Sequence, residues 1–356
     1  MALTLTVDGD RWRAHLRSFA EAHPGLTPVA KGNGYGLTLG RLARKTQWLR
    51  DQGLGTDTLA VGTYEELPHV ASRFDGDLLV LTPWRPFVGD LEPALAGRVI
   101  HTVGRPADVD GLLTRQPDAR LVLERMTSML RHGFTARELW ATRDQLSRHP
   151  RARLEGIALH LPLAQGSHFA EVARLLNDVV GMELHGPQTV WVSHLTDDEL
   201  DRLRTSYADF TFRPRVGTAL WLGDREALRV TATVLDVHEV ARGDAFGYRG
   251  RTAPKAGHVL VVSGGTAHGI GLESPTGESS LKARAATLAR GGLDAVGFVR
   301  SPFSIDGKQR LFAEPPHMQA SLLFLPGGAR VPEVGDEIDV RVRYTATTFD
   351  HVVVKG

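Results

Sequence analysis

Residues 28–36 read PVAKGNGYG: an apolar, β-rich run that ends on a lysine and passes at once into a glycine-rich turn. Runs of the same kind recur downstream. TPVAKG (27–32), TLAVGT (58–63), DLLVLT (77–82), RVIHTV (98–103), ARLVLER (119–125), EGIALHL (155–161), TVWVSH (189–194) and DFTFRP (209–214) each read as a strand. Between them lie amphipathic stretches such as ARELWATRDQLSRH, HFAEVARLLNDVV and DDELDRLRTSY. Strands separated by helical patterns give βαβ units and a parallel sheet. Eight in a row predict an α/β fold, a closed TIM-type (β/α)8 barrel over residues 8–222, rather than an open doubly wound sheet. Lys31 then stands at the C-terminal end of the first strand, on the face where barrel active sites lie.

After residue 222 the texture changes. ALRVTATVLDVHEV, HVLVVSGG, GLDAVGFV, ASLLFLP and EIDVRVRYTA are β-rich and are broken by Gly, Pro and Asp turns. Helical periodicity is confined to the neighbourhood of SSLKARAATLA. Residues 223–356 therefore predict a mostly antiparallel β domain. LTLTV at 3–7 precedes the first barrel helix and is expected to add a strand to that second domain.

Composition narrows the function classes. A chain of 356 residues suits two domains. With 42% hydrophobic and 23% charged residues it has the make-up of a globular protein with a substantial core. A net charge of +1, with arginines scattered rather than clustered, gives no electrostatic case for nucleic acid or an anionic membrane as the main partner. The absence of cysteine removes disulfides, thiolate metal sites and cysteine nucleophiles, and fits a cytoplasmic protein. MALTLTVDGDRW shows no basic region followed by an apolar one, so no signal peptide is expected. No apolar run approaches the roughly 20 residues of a membrane span.

A lysine inside an apolar strand is a costly placement for a charge unless the amine is used. Desolvation lowers its pKa and yields a neutral nucleophile suited to carbonyl chemistry. From this segment alone, a strand-end lysine reaching out to solvent is an equal reading.

The wider pattern is more specific. PVAKGNGYG resembles the cofactor-lysine motif of the alanine racemase family, and further pieces follow in that family's order. AVGTYEEL (60–67) looks like its second-strand segment, and TSMLRHGF (127–134) is similar to a Thr-Gly-Met-Gly-Arg-x-Gly stretch. GIALHL (156–161), RPRVGTALWLG (213–223) and RGDAFGYRGRT (242–252) complete the series. The resemblance runs from about residue 3 to 345 and implies pyridoxal 5′-phosphate (PLP) carried on Lys31. It implies Lys31 and Tyr248 as two bases on opposite faces of an amino-acid substrate, and His160 stacked on the cofactor ring. Arg131 would orient the cofactor's phenolate oxygen and the substrate carboxylate. Tyr35, Ser193 (or His194) and the backbone N–H groups of Gly217 and Thr218 would meet the phosphate, and the Met318 N–H the substrate carboxylate. Arg215 falls at the pyridine nitrogen. An arginine there can only donate, so the ring nitrogen stays unprotonated and transamination is disfavoured. A head-to-tail homodimer, with Tyr248 acting in the partner's barrel, is also implied. Read singly, each residue has a plain alternative: a turn tyrosine, an ion-paired arginine, a satisfied core histidine, a loop arginine.

Two motifs depart from the family. Its Gly-Tyr-Ala-Asp-Gly stretch is GGTAHG (264–269) here, so the entrance-narrowing tyrosine is replaced by Gly265 or Thr266. Its Met-Asp-Gln element is PPHMQAS (315–321), which keeps Met318 and lacks the acid. The family's C-terminal entrance tyrosine has only Tyr344 and Phe349 as candidates. These changes imply a racemase of alanine or a larger amino acid. The alternatives are a PLP-binding protein without racemase activity, or one with aldolase- or dehydratase-like chemistry. Decarboxylases of the fold use a partner-subunit cysteine, which this chain lacks. A divalent-metal branch has only FDH (349–351) to draw on, so no metal is expected.

Overall fold

The computed structural model describes residues 2–163, 166–182, 188–272 and 299–356. SSLKARAATLA and nearly all of GLDAVGFV lie outside the described residues. The chain forms two compact units: Arg13–Gly223, and the residues up to Trp12 together with Asp224–Gly356. The first strand, β1 (Leu3–Asp8), belongs to the second unit. The division after Trp12 falls inside the helix Gly9–Ala22, and an unbroken helical pattern gives the sequence no mark there.

The first unit is a closed barrel of eight parallel strands. They are β2 (Thr27–Ala30), β3 (Thr58–Val61), β4 (Asp77–Val80), β5 (Val99–Val103), β6 (Arg120–Arg125), β7 (Arg153–His160), β8 (Gln188–Ser193) and β9 (Phe210–Val216). Each coincides with one of the eight β-rich runs, and β9 pairs back onto β2 through Thr27↔Arg215. Strands β2, β3 and β5 are buried along their whole length, as a sheet covered on both faces requires. Val29, Ala60, Leu79, Ile100, Val122, Ala158 and Trp191, one from each of β2 to β8, pack together as the barrel interior. The alternate residues Leu121, Leu123, Ile157, Leu159, Val190 and Val192 pack outward with helix residues such as Leu139 and Leu175. Two outer helices, Ala136–Ser147 and Asp197–Ser206, start on capping boxes set by Thr135 with Glu138 and Thr196 with Glu199.

This parity positions the site. Side chains alternate along a strand, so residues two beyond the inner layer also face inward, one layer nearer the C-terminal mouth. That rule selects Lys31, Gly62, Leu81, Thr102, Glu124, His160 and Ser193.

The second unit is mostly antiparallel. Its strands after β1 are β10 (Leu228–Val240), β11 (Ala245–Phe246), β12 (Arg251–Thr252), β13 (Gly257–Ser263), β14 (Arg300–Ile305), β15 (Lys308–Phe312), β16 (Ala320–Pro326), β17 (Glu337–Val340) and β18 (His351–Lys355). Their sheet runs β13-β16-β15-β14-β17-β10-β1-β18, and β13 also pairs with β10, closing a ring. LTLTV lies in β1, antiparallel to β10 from Leu3↔Ala232 to Val7↔Leu228 and parallel to β18. Its alternation buries Leu3, Leu5 and Val7. β11 and β12 form a separate hairpin. Among the described residues, no helix is long and apolar enough to cross a membrane.

Candidate active site

Lys31 follows the last residue of β2 and is reachable from solvent. The turn after it is tied to the next strand: the Glu66 carboxylate accepts hydrogen bonds from the N–H groups of Gly32 and Gly62, each at 2.6 Å. Glu66 also closes a capping box with Thr63. The Thr-x-x-Glu spacing in AVGTYEEL was its only signal in sequence. Desolvation lowers the Lys31 pKa, the charges of Arg131 and Arg215 lower it further, and Glu66 opposes them. The result is an amine shifted toward its neutral, nucleophilic form.

Arg215 is buried in β9, and its Nη2 donates to the Leu159 carbonyl at 2.9 Å. Burial lowers its pKa to about 10, with Glu124 opposing and Arg131 adding to the shift. Its buried Nε has no hydrogen-bond partner among the described residues. An orphaned buried donor on a cation is expensive, so this point of the barrel mouth has room in its hydrogen bonding for an acceptor that no described residue supplies. Glu124, only 3% exposed, shares the layer. Burial raises its pKa against the pull of Arg215, Arg131 and Arg85. Sequence reading passed over Glu124, although the alternation from Val122 could have found it. Arg131 lies exposed in the loop after β6, close enough for its charge to act on Lys31, Glu124 and His160.

At the end of β7, His160 Nδ1 lies 2.7 Å from the Ser193 hydroxyl at the end of β8. Its ring packs against His194, with centroids 5.1 Å apart. Burial, then Arg215 and Arg131, depress the His160 pKa to about 3, so the imidazole is neutral at physiological pH. Ser193, His194, Arg215, Gly217 and Thr218 line one cavity of about 450 Å³. It opens beyond the seventh and eighth barrel strands, the usual place for a phosphate in this architecture. Tyr35 is buried, in a left-handed conformation (φ 56°) that is costly for a non-glycine residue. Its pKa is pushed up to about 12 by burial, with Glu66 adding to the shift, so the hydroxyl remains a donor.

A methyl group at Gly217 would overlap the Tyr35 hydroxyl. Gly217→Ala is therefore expected to lose about 1–3 kcal/mol of stability through overpacking. Denaturant unfolding should show only part of this recovered in the Gly217→Ala/Tyr35→Phe double variant, because the ring carbon that carries the hydroxyl would still lie 2.7 Å from the added methyl.

The other two sequence-selected residues lie in the second unit. Tyr248 sits in the turn between β11 and β12 with its side chain 85% exposed. Together with Thr266, Glu314, His317 and Met318 it lines a groove of about 620 Å³. Segments 264–267 and 317–319 run backbone to backbone: Thr266 N–H donates to the His317 carbonyl at 2.8 Å and Ala267 N–H to Met318 at 2.9 Å. A Cβ at Gly265 would strike those same carbonyls. Thr266 is therefore the residue of this pair that presents a side chain to the groove. Tyr344, one candidate for an entrance tyrosine, lines a different groove with Arg225 and Arg341.

Comparison with known proteins bears on the family and the fold. The family model described as alanine racemase, N-terminal domain, matches residues 7–220. An alanine racemase of Sorangium cellulosum (strain So ce56) is 28% identical over 259 residues, 68% of this chain. The match spans 62% of that relative's length. Among solved structures, the alanine racemase of Bartonella henselae with covalently bound pyridoxal phosphate is similar with a TM-score of 0.72, at 17% identity over 100% of both chains. The histidine racemase of Leuconostoc mesenteroides subsp. sake is similar with a TM-score of 0.67, at 14% identity over 100% of this chain and 98% of its own. The two structures share the fold. With the family model covering more than half of its length, the chain belongs to the alanine racemase family.

Proposed function

We propose that this protein is a PLP-dependent amino-acid racemase. The observation that carries the reading is the placement at the barrel mouth of Lys31, at the end of β2, and of the buried Arg215, whose Nε meets no acceptor among the described residues. The donors present fit PLP. Lys31 offers the amine for covalent attachment, and Arg215 a donor for the ring nitrogen. Tyr35, Ser193, Gly217 and Thr218 offer hydroxyl and backbone N–H groups for the phosphate. His160, neutral, offers a flat face for the ring. When bound, PLP supplies a sink for the electron pair left at the substrate α-carbon.

The chain's own work is positioning and proton transfer. Inversion needs one proton removed from one face of the α-carbon and another delivered to the opposite face. Lys31 serves the first face and Tyr248 the second, from the partner subunit of a head-to-tail homodimer. Arg131 and, from the same partner groove as Tyr248, the Met318 N–H would hold the substrate carboxylate. Arg215, cationic, would donate to the ring nitrogen of a bound cofactor and so disfavour its protonation and transamination. Threonine at 266, beside a glycine where no side chain fits, leaves the groove open to alanine or to larger amino acids.

The test is a screen of the PLP-loaded protein with each enantiomer of the common amino acids in deuterated water. We expect α-deuterium incorporation together with inversion for at least one pair. Protein that takes up PLP yet exchanges no substrate would overturn racemisation and favour a PLP-binding role without it. Protein that takes up no PLP would overturn the reading altogether.

A further inference from the structure

Glu314 is almost wholly buried, yet it hydrogen-bonds two groups at the Tyr248 groove. One carboxylate oxygen accepts from the Tyr248 backbone N–H at 3.0 Å. The other lies 2.7 Å from His317 Nε2. The His317 imidazole packs on the Tyr248 ring, with centroids 4.6 Å apart and planes inclined by 47°. A third bond, from Arg251 Nη1 to the Ala313 carbonyl at 3.0 Å, ties the hairpin strand β12 to the residue before Glu314. An exposed tyrosine in the turn of a two-residue-stranded hairpin has little of its own to define its position. Here one buried carboxylate fixes both its backbone and the ring that it rests against.

We infer that His317, oriented by Glu314, is a positioning residue that holds the Tyr248 ring at the angle its proton transfer requires. The inference rests on the reading of Tyr248 as the second base. Geometry of this kind is kinetically significant, since a displacement of about 1 Å at a reacting group can cost roughly a hundredfold in rate. It also gives PPHMQAS a use: the histidine before Met318 supports the tyrosine across the groove.

The experiment compares wild type, His317→Gln, Glu314→Gln, Tyr248→Phe and the His317→Gln/Tyr248→Phe double variant, all PLP-loaded. In wild type and His317→Gln, ¹³C-labelled tyrosine is observed by NMR, with the Tyr248 signal assigned by its loss in Tyr248→Phe. We expect the Tyr248 ring signal to move in His317→Gln, and kcat to fall about ten- to a hundredfold with KM nearly unchanged. The loss should be confined to α-proton exchange from the enantiomer whose proton Tyr248 handles. Adding His317→Gln to Tyr248→Phe should then cost nothing further. Glu314→Gln should reproduce the His317→Gln kinetics in weaker form. An unmoved Tyr248 signal, equal losses for both enantiomers, or a further loss in the double variant would overturn the inference. Wild-type protein that exchanges neither enantiomer of any amino acid would instead overturn the racemase reading beneath it.

Discussion

Lys31→Ala protein is expected to bind no PLP covalently, to lack the visible absorption band of lysine-bound cofactor, and to show no α-proton exchange above background. The expected loss is at least about 10⁴-fold, the upper end of what one general base contributes, because the same amine attaches the cofactor and moves a proton. The substitution should leave the fold intact. Lys31 lies beyond the last residue of β2, and its side chain is not part of the packed interior formed by Val29 and its neighbours. Removing a cation that Arg131 and Arg215 already repel leaves stability unchanged or slightly higher. Lys31→Arg separates charge from nucleophilicity: it keeps the cation, cannot condense with an aldehyde at neutral pH, and should be equally colourless. Absorption spectra and single-enantiomer exchange assays decide the matter. A Lys31→Ala protein that is yellow and exchanges its substrate would place the attachment elsewhere.

Tyr248→Phe is expected to divide the two half-reactions. Exchange from one enantiomer should fall by about 10²–10⁴-fold, the range for loss of a general acid–base group. Exchange from the other should persist, because Lys31 is untouched. The phenol is exposed and no described residue hydrogen-bonds its hydroxyl, so thermal stability and PLP uptake should match wild type. Deuterium incorporation measured separately for each enantiomer reads the result directly. Equal rates in wild type and variant would remove Tyr248 from proton transfer.

The barrel was legible because its physics is written locally. Strands covered on both faces are mostly apolar and buried along their whole length, as TLAV and VIHTV are, and the helices between them carry a 3.6-residue stripe. The candidate site could be read where a motif concentrates unusual residues at strand ends, as around Lys31 and Arg215. Glu66, Glu124, Glu314 and His317 were not. Each is an ordinary charged or polar residue whose meaning comes from a pairing that adjacent sequence does not reveal. Glu124 needs the inward parity of β6, and Glu66 needs the close approach of Gly32 to Gly62. Glu314 needs a hairpin more than sixty residues earlier to fold back over it. Ser193 shows the same limit in reverse: its position at a strand end was readable, while its 2.7 Å contact with His160 was not.

The placement of β1 has a consequence for synthesis. Its antiparallel partner β10 follows the entire barrel, with Leu3 pairing Ala232. At about 5–20 residues per second, the ribosome needs roughly 11 to 46 seconds to deliver that partner. During this interval Leu3, Leu5 and Val7 emerge with no sheet to bury them, while the barrel behind them is still being made. A nascent chain of this design carries an unpaired apolar segment for as long as the barrel takes to be made, so its early exposure to chaperones and to neighbouring nascent chains is set by topology rather than by the stability of the finished fold.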